Sequence, residues 1–123
     1  MISYLVYKVL HLIGIFMIFM ALGGFTLHMA NGGSKESLLA RRLAGITHGI
    51  GLLIVLVAGF GLMARLAIAF PWPGWLWIKI VVWVLLGGAT AIIYRRPDLS
   101  RVIWVSILAL GALNGYLAIM KPF

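Results

Sequence analysis

The sequence predicts an all-α integral membrane protein folded as a four-helix up-and-down bundle. Three observations carry that prediction. Hydrophobic residues make up 64% of the 123 residues, against about 45–50% in soluble domains, and the mean hydropathy is +1.16. The apolar residues fall into four runs, near 4–29, 40–67, 75–94 and 100–120, each long enough for the about 20 residues that cross a bilayer core. Only ten lysines and arginines and two acids are present, too few to cover a water-facing surface. An open sheet is excluded because lipid cannot satisfy its edges. Short connections make sequential spans antiparallel neighbours. The chain reads as one membrane domain, 1–123, without a soluble domain or an internal repeat.

The first span is longer than the about 7–15-residue apolar core of a signal peptide, and no A-x-A site follows it, so it is expected to be retained. Its Phe16-Met17-Ile18-Phe19-Met20 run reads as lipid-facing or core-filling. Asn31-Gly32-Gly33 closes it, since these residues tolerate a left-handed cap. Ser34 or Ser37 can cap the second span. That span carries Gly45-x-x-x-Gly49, and the fourth carries Gly111-x-x-x-Gly115. Such pairs let helices approach closely in lipid, where packing drives association. In Phe70-Pro71-Trp72-Pro73-Gly74-Trp75 the prolines break the helix and the tryptophans suit an interface. In the third span Trp75, Lys79 and Trp83 share a face by their four-residue spacing, as a cation–π stack or an interfacial anchor. Arg96-Pro97-Asp98 separates the third and fourth spans.

Six of the ten basic residues lie in two connections: Lys35, Arg41 and Arg42, then Arg95, Arg96 and Arg101. The positive-inside bias places both connections in the cytoplasm and both termini outside. A net charge of +8 here flanks lipid-spanning segments, so the expected partner is anionic membrane lipid and not nucleic acid. Cysteine is absent, which excludes disulfides, thiolate metal sites and thiol nucleophiles. No acid pair, Ser-His-Asp set, phosphate loop or HExxH motif is present, so no catalytic residue is assigned.

Ionisable residues inside a span are costly and usually face a bundle interior. His11 lies about 10 Å inside the first span and His48 about 9 Å inside the second, at 1.5 Å per residue. Neutral imidazole ligates iron, copper and zinc. His11 and His48 are therefore candidate metal ligands, with haem b the candidate cofactor. They differ in depth by about 10 Å if the helices are straight. The alternative is that each imidazole bonds a carbonyl or hydroxyl on a neighbouring helix. His28 reads as an interface residue. Lys8, His11, Arg65, Lys79 and Asn114 all fall within about two turns of the outer boundary, and no carboxylate in the sequence belongs to that end. Uncompensated cations near hydrocarbon call for an anion, or their stems reach the headgroups unaided. Lys8, Lys79 and Arg65 are thus candidate binding residues beside the two histidines.

The order of these residues resembles the SirB family of bacterial four-helix membrane proteins, over most of the chain. The likeness rests on Tyr7-Lys8-Val9-Leu10-His11, on His48 followed by Leu52-Leu53, on Trp75-Leu76-Trp77-Ile78-Lys79 with Leu86-Gly87, and on Lys121-Pro122. Gly51 stands where that pattern has an aspartate, and Thr47 where it has a proline. The early histidine and the tryptophan–lysine helix start also look like HemJ- and CopD-type bundles. The resemblance implies a multi-pass protein of the bacterial inner membrane. The expected role is binding of a haem, quinone or lipid within a homo-oligomer or larger complex. The competing expectations are a structural accessory subunit of a respiratory or photosynthetic complex, and a porphyrinogen oxidase, which the HemJ likeness implies.

Overall fold

The computed structural model describes residues 3–34 and 41–121. Four helices follow in order: α1 (Tyr4–Ala30), α2 (Arg41–Arg65), α3 (Gly74–Arg95) and α4 (Ser100–Met120), with a 3-10 turn at Pro97–Leu99 before α4. All four are long and apolar enough to cross a membrane. The fold is the expected all-α four-helix bundle, and the chain is a multi-pass membrane protein.

The packing is unequal. α1 lies against all three other helices and most extensively against α2, whereas α2 and α3 meet sparsely and α2 and α4 occupy opposite corners. The buried core lies chiefly across the α1–α3 diagonal. Ile18, Ala21, Leu22, Phe25 and Met29 face Val82, Leu86, Ala89 and Ile93, with Ile107 of α4 closing the cluster. Both sets follow the three- and four-residue spacing of one helix face. Much of the remaining apolar surface, including Phe16, Met20, Leu53, Leu108 and Ile119, points outward, as expected where the solvent is hydrocarbon.

Helix ends explain two boundaries. α1 closes as the sequence predicts: Gly32 takes the left-handed conformation at φ 83°, Gly33 N–H donates to the His28 carbonyl and Gly32 N–H to that of Met29. α2 stops two residues before the predicted 67. Ile68 N–H donates to the Met63 carbonyl and Ala67 N–H to that of Ala64, the same paired closure, but with Ala67 in the left-handed conformation at φ 56°. An alanine gives no sequence signal of a helix end. The left-handed conformation costs an L-residue roughly 1–2 kcal/mol that glycine avoids. Ala67→Gly is expected to raise the unfolding midpoint in detergent by the equivalent of about 1 kcal/mol, less glycine's greater chain entropy; an unchanged or lower midpoint would show that this turn is not limiting.

At the other boundaries, the Ser3 hydroxyl accepts from Val6 N–H at the start of α1. Pro73 precedes α3 as its cap. At the α3–α4 turn an exposed Arg96–Asp98 pair at 3.0 Å and a Ser100 hydroxyl donating to the Pro97 carbonyl set the chain direction. Lys35, Glu36, Ser37 and Pro122 lie outside the described residues.

The close approach between α1 and α2 is made at Gly14 and Gly51. A Cβ built on Gly51 would meet the Gly14 carbonyl oxygen at 2.9 Å, and one built on Gly14 would meet the Gly51 carbonyl oxygen at 3.0 Å. Gly45, Gly49 and Gly115 face nothing within 4 Å, and Gly111 faces the Phe19 ring. Of the glycines in the two GxxxG pairs only Gly111 meets another helix, and it meets a side chain; the backbone-to-backbone crossing is made by Gly14 and Gly51.

Candidate ligand-binding site

Each membrane histidine sits at a helix–helix contact. The His11 Nδ1–H donates to the Val55 carbonyl on α2 at 3.1 Å. His48, 6% exposed, donates from Nε2 to the Leu86 carbonyl on α3 at 3.1 Å. The carbonyl can only accept, so each of these nitrogens carries the proton. From α3, the Trp83 indole N–H returns the bond to the Leu52 carbonyl on α2, also at 3.1 Å. His48 and Trp83 thus form a reciprocal pair of bonds across the sparsest contact between sequential helices.

The two histidines face different neighbours. His11 sits at the level of Val55 and Gly59, seven or more residues along α2 from His48, which is about 10 Å at 1.5 Å per residue. Between those levels lies the Gly14–Gly51 crossing, with backbone against backbone. His11 keeps Nε2 outside its bond to Val55. His48 keeps only Nδ1. Among the described residues no three His, Cys, Asp or Glu side chains gather as a metal site.

His28 turns back over the α1 terminus, where its Nε2 lies 3.0 Å from the Ser34 carbonyl oxygen and covers Gly33. That places it at the end of α1. Thr26 donates to the Leu22 carbonyl within its own helix.

The basic residues at the end of the bundle that carries the α2–α3 connection separate into two kinds. Lys8 and Arg65 are exposed, and the Lys8 ammonium lies 5.8 Å from the centre of the Tyr4 ring. Lys79 is half-buried, about 8 Å inside α3 by its five-residue separation from Gly74. Its ammonium makes no hydrogen bond and no ion pair among the described residues. Two other polar groups share its depth on other helices. His11 is close enough to feel the charge of Lys79, and the Asn114 Oδ1 on α4 is buried without a hydrogen-bond partner among the described residues. Lys121 also acts on Lys79 through its charge.

The Trp75–Lys79–Trp83 stack does not form. The cation over the Trp75 ring is Lys121, at 5.7 Å, and Trp83 is turned to the Leu52 carbonyl. Lys121 was reachable only through the αL turn at its own position, φ 43°, which folds its ammonium back to the Ala118 carbonyl at 2.8 Å. Nothing in the local sequence signals that reversal.

Two grooves open between α1 and α4. One, of about 170 Å³, is lined by Phe19, Gly23, Trp104, Ile107 and Leu108. The other, of about 330 Å³, continues past Trp104 to Thr26, Asn31 and Arg101. Neither is bounded by a histidine.

These features define a multi-pass membrane protein with a polar cluster in one half of the bundle and an open groove in the other. Compared with protein families, curated proteins and solved structures, the chain has no match.

Proposed function

We propose that this protein is a non-catalytic membrane subunit that binds an anionic amphiphile, whose acid group is held by Lys79. One observation carries the reading: a half-buried ammonium in a membrane span has no acceptor or counter-charge among the described residues. Taking such a charge from water is expensive unless it is paired. Lys121 adds a second positive charge in range, which raises the demand for an anion. Asp98 is paired with Arg96 at the opposite end, and Glu36 belongs to the connection there.

The ligand chemistry is a carboxylate or phosphate on an apolar body. A lipid headgroup and a haem propionate both meet it, whereas a neutral quinone lacks the charge. His11 contributes the edge of its ring, and Asn114 contributes an amide at the same depth. Lys8 and Arg65 draw anionic species to the rim from exposed positions. His48 serves the α2–α3 contact in this reading.

The test is native mass spectrometry of the protein in mild detergent, with an oxidised and a dithionite-reduced visible spectrum of the same sample. An anionic adduct is expected on the wild type, and at least a tenfold weaker one on Lys79→Gln, about 1.4 kcal/mol. Lys8→Gln is expected to change binding little. Equal adducts on the wild type and Lys79→Gln would sink the proposal. A Soret band lost in Lys79→Gln would identify the amphiphile as haem.

A further inference from the structure

The α1–α4 groove lies at the other end of the molecule from Lys79 and has a different construction. Its narrow part is apolar: Gly23 lies against Trp104, with Phe19, Ile107 and Leu108 as walls. A Cβ on Gly23 would reach only ordinary contact with the Trp104 ring, 3.8 Å. The slot therefore has room for a methyl group at position 23, and a longer side chain there would fill it. Past Trp104 the groove widens, stays apolar along Leu27, Ala30 and Val105, and gains polar groups at its end in Arg101 and Asn31.

Charge decides what fits there. Arg101 is exposed and carries no ion pair or hydrogen bond among the described residues. Arg41, Arg42, Arg95 and Arg96 lie at the same end of the bundle, and Asp98, the described carboxylate there, is taken by Arg96. The Thr26 hydroxyl is spent on the Leu22 carbonyl. The polar end thus offers a guanidinium and a carboxamide to an anion, and the apolar end offers a channel to hydrocarbon. Basic pockets between membrane helices on one leaflet are suited to anionic lipid headgroups.

We infer that the α1–α4 groove is a binding site for an anionic phospholipid, with the phosphate on Arg101 and Asn31 and an acyl chain in the Gly23–Trp104 slot. Arginine suits the phosphate because its fork of N–H groups can donate two bonds at once. Trp104 lines both parts and separates headgroup from tail. This site is independent of Lys79, and occupation of one leaves the other unchanged.

The experiment titrates purified full-length protein with phosphatidylglycerol, phosphatidylcholine or inorganic phosphate and reads adducts by native mass spectrometry. Phosphatidylglycerol is expected to bind at least tenfold more tightly than phosphatidylcholine. Arg101→Gln is expected to remove that preference, because it loses the headgroup contact. Gly23→Leu is expected to weaken both lipids, because it fills the slot. The groove variants are read in the Lys79→Gln background, which empties the first site, and Lys79 itself is read in the Arg101→Gln background, which empties the groove, so that each adduct belongs to one site and either assignment can fail alone. Retained preference in Arg101→Gln, or unaltered binding in Gly23→Leu, would overturn the assignment. Binding of inorganic phosphate alone as tightly as the lipid would overturn the acyl-chain half of it. A wild-type dimer that Gly23→Leu converts to monomer, without bound lipid, would show that a second copy of the chain covers the groove instead.

Discussion

Gly51→Asp is expected to abolish the folded bundle. The Cβ that any substitution adds at position 51 meets the Gly14 carbonyl oxygen at 2.9 Å and the Met17 Cβ at 3.0 Å. One of those atoms is backbone and the other is fixed to it, so relief requires α1 and α2 to move apart. Gly51→Ala alone overpacks the contact, at a cost of about 1–3 kcal/mol. Aspartate adds a charge in a membrane span without a partner, about 2.5–3.5 kcal/mol more. The sum is a large share of the about 5–15 kcal/mol that holds a small protein together. Thermal unfolding in detergent, with size-exclusion profiles, checks this. Gly51→Ala should unfold at a lower temperature but remain monodisperse, and Gly51→Asp should not be recovered monodisperse. Gly45→Ala and Gly49→Ala are the controls: both positions face open space, so alanine is expected to be neutral or stabilising by up to about 1 kcal/mol. A stable Gly51→Asp protein, or equal losses at 45 and 51, would refute the crossing as the determinant.

His48→Ala and Trp83→Phe are expected to loosen α2 from α3 by acting on one unit. Each removes a bond to a backbone carbonyl on the opposite helix. His48 and Leu52 are one turn apart on α2, and Trp83 and Leu86 are one turn apart on α3. A single interhelical bond in lipid averages about 0.6 kcal/mol and reaches about 1.7 kcal/mol. His48→Ala costs more, about 2 kcal/mol or above, because it also leaves a void at a buried contact. Once one bond is lost the helices can part, so the second is worth less. The double variant is expected to cost about 1 kcal/mol less than the sum of the single ones, within the usual range for neighbours. Strict additivity would mean that the two bonds act separately. Because the chain has no cysteine, a cysteine pair placed across α2 and α3 gives a clean second measure: crosslinking should fall in both single variants.

The spans are legible because hydropathy acts over tens of residues, and their bounds shift by one residue or fewer except at α2, which ends two residues early. The α2 end was hidden because Ala67 adopts a backbone conformation that alanine seldom marks. The histidines were legible as interior residues, and the two readings kept open for them were ligation and interhelical bonding; the observed bonds to Val55 and Leu86 are of the second kind. Their partners could not be read, because a backbone carbonyl has no sequence signature. Close approach of backbones occurs at Gly14 and Gly51 and not at the paired glycines; these are single positions on two helices, brought into contact only by the crossing angle. That crossing also gives a physical reason for glycine at 51: the Gly14 carbonyl occupies the place a side chain would need. Lys79 was visible as a deep cation, whereas its neighbour Lys121 reaches it from the far end of α4. The groove at Gly23 and Arg101 joins residues far apart in the sequence, in no local pattern, and depends only on which faces α1 and α4 present to each other.

The dense contact of α1 with α2 has a bearing on biogenesis. Nearly all of it joins residues of one hairpin, so it can form as soon as the second segment enters the bilayer, before the rest of the chain is made. Contacts between chain neighbours close at small entropic cost. The product would display the Ile18–Met29 stripe to the membrane as a docking face, and the α3–α4 hairpin would then arrive as a second unit whose first engagement is with α1. Assembly would proceed as the joining of two preformed hairpins, with α1 serving as the template for both.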